Sequence, residues 1–187
     1  MRIIAGKLKG RRIIAPKKLP VRPTTDRSKE ALFNILNNRL EWDSISALDL
    51  FAGTGNISYE LGSRGVNEIT SIDQNQHCIF FITKTSEILE LPIFPIKSAV
   101  NDFLQRPTRA YDFIFADPPY SFTLEELISI VDQVILYQWI SDIGILVIEH
   151  DKHLSMETHP HWEETRTYGS NRFSFFRKKA GHKPDSV

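Results

Sequence analysis

The 187-residue chain predicts an α/β fold, a mostly parallel sheet with helices on both faces, finished by an antiparallel hairpin. Three observations predict it. Short apolar runs alternate with stretches of helical periodicity between residues 45 and 149. One such run, Ala47-Leu48-Asp49-Leu50-Phe51, ends in Ala52-Gly53-Thr54-Gly55, a glycine turn that opens a helix. Another, Tyr111–Ala116, ends in Asp117-Pro118-Pro119-Tyr120. In open α/β sheets the carboxyl ends of strands face the ligand crevice, so both motifs are placed there.

The chain opens with two β-like runs, residues 2–6 and 11–14, which read as a basic hairpin. A lone hairpin is marginal, so it must pack on the domain or be ordered by a ligand. Thr25 or Asp26 is a candidate N-cap for a helix to about residue 40, with Ala31, Leu32, Ile35, Leu36 and Leu40 on one face. Ile45, Leu48, Leu50 and Phe51 make a central strand. Residues 56–64 form the next helix, stopped by Gly65. Residues 68–73 read as a strand, 75–90 as a helix and 92–96 as a strand with Ser98-Ala99 at its end. Residues 100–104 are a short helix or turn, followed by strand 111–116, helix 122–137 and strand 143–149. Two more strands, 162–167 and 172–177, flank the turn Tyr168-Gly169-Ser170-Asn171. The expected organisation is a basic arm over 1–24, one α/β domain over 25–180 and a disordered tail over 181–187.

One cysteine, Cys78, excludes an internal disulfide framework and a cysteine-based zinc site. No apolar run approaches a membrane span and no signal-peptide pattern opens the chain, so a soluble, cytoplasmic protein is expected. The net charge of zero hides an asymmetry. Residues 1–29 hold ten Lys/Arg against one acid, and the remainder holds 13 bases against 22 acids. A patterned basic segment of this kind suits a nucleic acid better than a merely solvated tail. Arg11, Arg12 and Lys17 would follow a phosphate backbone. Arg22, Thr24, Thr25 and Arg27 cluster phosphate-capable groups at a helix entrance, where plain capping is the alternative.

The spacing Asp49-x-Phe51-x-Gly53-x-Gly55 departs from the dinucleotide fingerprint, since position 58 is Ser and no third glycine follows in register. Asp49 would repel a pyrophosphate but suits a ligand bearing a cationic amine. S-adenosylmethionine has an ammonium, a sulfonium and no phosphate, so the loop favours it over NAD. Asp73, 18 positions after Gly55, falls where an acid accepts from ribose hydroxyls. The bland alternative is a tight βα turn with no ligand.

In Asp117-Pro118-Pro119-Tyr120 the prolines fix φ and remove backbone donors. The Asp117 carboxylate and the Pro118 carbonyl can serve as two acceptors beside the Tyr120 face. That arrangement fits an exocyclic amine on a planar base, with Tyr120 stacked on the ring. A structural Pro-Pro turn is the alternative. His77, His150, His153, His159, His161 and His182 show no metal-ligand spacing and are expected at the surface, with no metal site. Asn101 and Asp102 read as capping residues.

With these motifs in place, the chain resembles the RsmD family, bacterial methyltransferases acting on guanine N2 of 16S ribosomal RNA. The resemblance is carried by Arg22-Pro-Thr-Thr-Asp-Arg27, Asp49-Leu-Phe-Ala-Gly-Thr-Gly55 and Asp117-Pro-Pro-Tyr120, with Arg2-Ile-Ile-Ala-Gly6 and Tyr168-Gly169 at the ends. It implies a Rossmann-like class I S-adenosylmethionine-dependent methyltransferase with a seven-stranded sheet and an N-terminal hairpin arm. It implies cofactor contacts from Asp49, Phe51, Gly53, Gly55, Asp73 and the Ser98 slot. Asp117, Pro118 and Tyr120 would hold the flipped guanine. Arg11, Arg12, Lys17, Arg22, Thr24, Arg27 and Pro119 would touch RNA. The partner implied is ribosomal RNA or the small ribosomal subunit; nothing in the sequence demands an oligomer, so a monomer is expected. Ser98-Ala99 stands where the family usually carries Asp or Asn before a small residue, and Asp73 stands where Glu is common. Three rival readings follow from the same residues. They are an adenine-N6 methyltransferase, an NAD-dependent oxidoreductase and an inactive RNA-binding assembly factor.

Overall fold

The structure is a computed structural model, and it describes residues 1–16, 26–169 and 171–179. Lys17, Arg22 and Thr24, the Thr25 cap, His182 and the tail expected to be disordered lie outside the described residues. The chain divides into two compact units, Met1–Val100 and Asn101–Val187.

The first unit holds α1 (Asp26–Leu36), a 3-10 turn (Trp42–Ser44), β1 (Ser46–Leu50), α2 (Asn56–Arg64), β2 (Glu68–Asp73), α3 (Gln76–Leu89) and β3 (Ile93–Lys97). β1 is buried at every position, as a parallel strand covered on both faces must be. The strands run parallel in the order β3-β2-β1, with Asp49 opposite Ser71 and Asp73 opposite Lys97. α1 ends at Leu36 rather than near residue 40, because the N–H groups of Asn38 and Arg39 turn to i−3 carbonyls.

α2 is buried from Asn56 to Ser63, yet that stretch carries Asn56, Ser58, Glu60 and Ser63. Buried polar groups need partners, and the N-terminal segment supplies those of Glu60 and Ser63. The Glu60 carboxylate accepts from Ile4 N at 2.8 Å and Ala5 N at 3.0 Å. Ser63 Oγ donates to the Ala5 carbonyl and accepts from Leu8 N. The buried Lys29 ammonium binds the Arg2 carbonyl and Asn56 Oδ1, each at 2.7 Å, and pairs with Glu60 at 3.5 Å. Burial holds Lys29 below the usual lysine range, and Glu60 opposes that shift. Arg64 completes the cluster at 2.9 Å from Glu60.

This network corrects the expectation of two regular strands over 2–6 and 11–14. The hairpin is present, but it is reduced to one isolated antiparallel bridge, Arg2 to Arg12. Its donors at Ile4, Ala5, Lys7 and Leu8 are drawn onto α2 instead of across the hairpin. Ile3 and Ile13 are buried beneath it, while Lys7, Lys9, Arg11 and Arg12 are exposed.

α4 (Val100–Leu104) follows, and the second unit then builds β4 (Tyr111–Ala116), α5 (Leu124–Leu136), β5 (Ile140–Asp151), β6 (Trp162–Tyr168) and β7 (Asn171–Phe176). Its strands order β4-β5-β7-β6, parallel between β4 and β5 and antiparallel thereafter. The expected closing hairpin is therefore β6–β7. β5 is longer than expected at both ends. α5 starts in a capping box, with the Thr123 side chain accepting from Glu126 N and Glu126 accepting from Thr123 N. The two units hold seven strands, mostly parallel, as the sequence predicts.

Candidate active site

The residues expected to hold the cofactor lie in the first unit. β1 ends at Leu50, and the chain leaves it through Phe51, Gly53 and Gly55, all at positive φ (61°, 55° and 80°). Gly55 is the left-handed N-cap of α2, and a Cβ there would meet Tyr59 Cζ at 2.9 Å and Ile82 Cγ1 at 3.0 Å. Glycine is thus required at 55 both by conformation and by space. Phe51 adopts the same region with a side chain, a strained backbone at the predicted binding loop. Nothing in the motif spacing signalled that strain.

Asp73 organises this loop. Its carboxylate accepts from Gly53 N and from Asn75 N, each at 2.8 Å, and its carbonyl accepts from Ser98 N at 3.1 Å. A carboxylate offers about four lone-pair positions, so these two bonds leave room for ribose hydroxyls. Asn75 in turn caps α3 by accepting from His77 N and Cys78 N. Asp49 sits deeper than its expected role implied. It is 2% exposed, and Ser58 donates to it from both N and Oγ. Ser58 Oγ lies 2.7 Å from Ser71 Oγ. Asp49 therefore anchors the first turn of α2, and its charge bears on the loop from within. Ser98 spends its hydroxyl on the Ala99 carbonyl. Burial pushes the Cys78 thiol up to about 11, which keeps it protonated and unreactive.

These residues fit S-adenosylmethionine. Two acids flank a glycine turn that carries no Lys or Arg, which suits a cationic ligand without phosphate.

The residues expected to hold the acceptor base lie in the second unit. A cleft is lined by Asp117, Pro118, Pro119 and Tyr120, with Phe122, Glu149 and Asp151 among its other walls. Pro118 is buried and Pro119 exposed; the Pro119 carbonyl accepts from Phe122 N at 2.9 Å and closes the turn. Tyr120 is 44% exposed, and its hydroxyl donates to Asn171 Oδ1 at 2.8 Å. Asn171 Nδ2 donates to Glu149 Oε1. Arg27 is exposed on α1, in the first unit with Arg11 and Arg12.

Sequence reasoning missed Glu149, His150 and Asn171. The signal for the first two was a polar end on an apolar strand, at the carboxyl end of β5, where crevices form. The expectation of surface histidines also fails at three positions, since His150, His159 and His161 are buried. His150 Nδ1 donates to the Asp151 carbonyl, which can only accept, so its Nε2 accepts from Ser174 Oγ at 2.8 Å. Burial lowers the His150 pKa, opposed by the Asp151 carbonyl. His159 accepts from His161 N and reaches Asp132 at 3.1 Å. His77 and His153 are exposed as expected. Among the described residues no group of His, Cys, Asp and Glu could hold a metal ion.

Fold and loop together define a Rossmann-like class I S-adenosylmethionine-dependent methyltransferase. The family described as conserved hypothetical protein 95 matches residues 1–177, and the chain belongs to it, the RsmD family. A Bacillus subtilis protein, YlbH, provisionally named an rRNA methyltransferase, is 32% identical over 96% of this chain and 100% of its own. The ribosomal RNA small subunit methyltransferase D of Escherichia coli K12 is 27% identical over 100% of this chain and 94% of its own. Among solved structures, E. coli yhhF, provisionally named a methyltransferase, aligns with TM-score 0.82 and 26% identity, covering 96% of this chain and 98% of that one.

Proposed function

We propose that this chain transfers a methyl group to the exocyclic N2 amine of one guanine in small-subunit (16S) ribosomal RNA. S-adenosylmethionine, when bound, supplies an electrophilic methyl on a sulfonium. Asp73 and the Gly53–Gly55 turn would hold its ribose and methionine ends, with Asp49 setting the sign of the local field. In the acceptor cleft, Asp117 and the Pro118 carbonyl accept the two amine N–H groups. Tyr120 stacks on the ring, a contact worth roughly 1–3 kcal/mol. Held this way, the amine gives less of its lone pair to the ring and aims it outward, so the chemistry is mainly positioning. Arg11, Arg12 and Arg27, together with Lys17, Arg22, Thr24 and Pro119, would engage the RNA. We read the protein as a cytoplasmic monomer acting on RNA or the small subunit; no described helix is long and apolar enough to cross a membrane.

The observation that carries this reading is the Asp117–Tyr120 turn, an acid, a buried proline and an exposed aromatic face on one cleft. The names of the small-subunit rRNA methyltransferase relatives support the RNA substrate. An Asp117→Ala variant tests it. Turnover should fall by on the order of 10²-fold or more, the loss typical of one positioned electrostatic group, while cofactor affinity is retained. Near-normal turnover would remove Asp117 from the mechanism.

A further inference from the structure

We propose that Asn171 and Glu149 are positioning residues that brace the Tyr120 ring for the acceptor base. This inference rests on the acceptor reading given above. Tyr120 stands on a turn and is 44% exposed, so its ring would otherwise sample several rotamers. Its hydroxyl is instead tied to Asn171, and Asn171 is tied to Glu149. Glu149, on β5, is 2% exposed, so the chain of bonds ends on a fixed point in the sheet. The ladder places these groups together, because Asn171 opens β7 opposite Asp151, two residues beyond Glu149.

The direction of the bonds follows from chemistry. A carboxylate only accepts, so the Asn171 amide nitrogen faces Glu149 and its oxygen faces Tyr120. The phenol must then donate. The prolines fix the backbone under Tyr120, and the brace fixes its side chain. Ordering the ring before the base arrives removes an entropic cost from binding and holds the acceptor in line.

The experiment measures kcat and KM for small subunits and Kd for S-adenosylmethionine in four variants. Tyr120→Phe keeps the ring and loses the tether. It and Asn171→Ala should each lower kcat/KM for RNA on the order of tenfold, the scale of one hydrogen bond, with cofactor Kd unchanged. Asn171→Asp sets two carboxylates face to face and should also lose activity. Adding Glu149→Gln to Asn171→Asp should restore it, because the new amide can donate to the new carboxylate while the phenol still donates from the other side. Wild-type kcat/KM in Tyr120→Phe would overturn the brace, as would a double variant no better than Asn171→Asp. A wild-type protein that methylates no guanine would instead fail the acceptor reading, before any variant is compared.

Discussion

Gly6 lies directly on the carbonyl of Ser63. The N–H of Lys7 donates to that oxygen at 2.7 Å, and a Cβ on Gly6 would overlap it. Ser63 is on α2, the helix that opens at Gly55. The basic hairpin and the Gly53–Gly55 loop are thus joined by one buried helix.

Replacing Gly6 should therefore cost more than replacing Gly10. Both have left-handed backbones, φ +79° and +84°, but nothing lies within 4 Å of a Cβ at Gly10. Left-handed strain alone costs roughly 1–2 kcal/mol. Gly10→Ala should lose about that much in denaturant unfolding, and Gly6→Ala clearly more, because backbone must move. Equal losses would contradict the docking of the hairpin on α2.

The exposed guanidinium groups of Arg11 and Arg12 should contribute to RNA affinity through counterion release. Neutralising both should weaken binding and flatten the slope of log K against log salt by about one to two. Cofactor affinity should not change. An unchanged slope would take the hairpin out of RNA recognition.

His150 should make stability fall on acidification. Its folded pKa is lowered by burial, so its contribution is complete above the unfolded value of about 6.5. As pH drops below that, the unfolded chain takes up a proton that the folded chain resists, and stability is lost down through the folded pKa. Unfolding midpoints between pH 8 and 5 (about the window set by these values) should show a smaller acid loss in His150→Gln than in wild type. Identical pH profiles would contradict this assignment.

Much of this fold was legible in the sequence because apolar period and glycine punctuation act locally. β2 and β4 fall where the alternation of runs puts them, and Gly65 stops α2 as a C-cap glycine should. What escaped is non-local. Nothing near Lys29 or Glu60 in sequence reveals that the hairpin backbone will satisfy them, since their partners lie 27 to 56 residues away. The same holds for Asn171, which reads as a turn residue until the β5–β7 ladder brings it beside Glu149. His150, His159 and His161 read as surface residues because burial of a histidine depends on partners the sequence does not display. Asp49 stands out by its spacing, but its bonds to Ser58 do not.

The most direct measurement is to incubate the protein with labelled S-adenosylmethionine and small ribosomal subunits from cells lacking the enzyme, then to analyse the nucleosides. Label in N2-methylguanosine is the predicted result. Label in N6-methyladenosine, or no label in RNA from a protein that binds the cofactor, would contradict the guanine-N2 assignment.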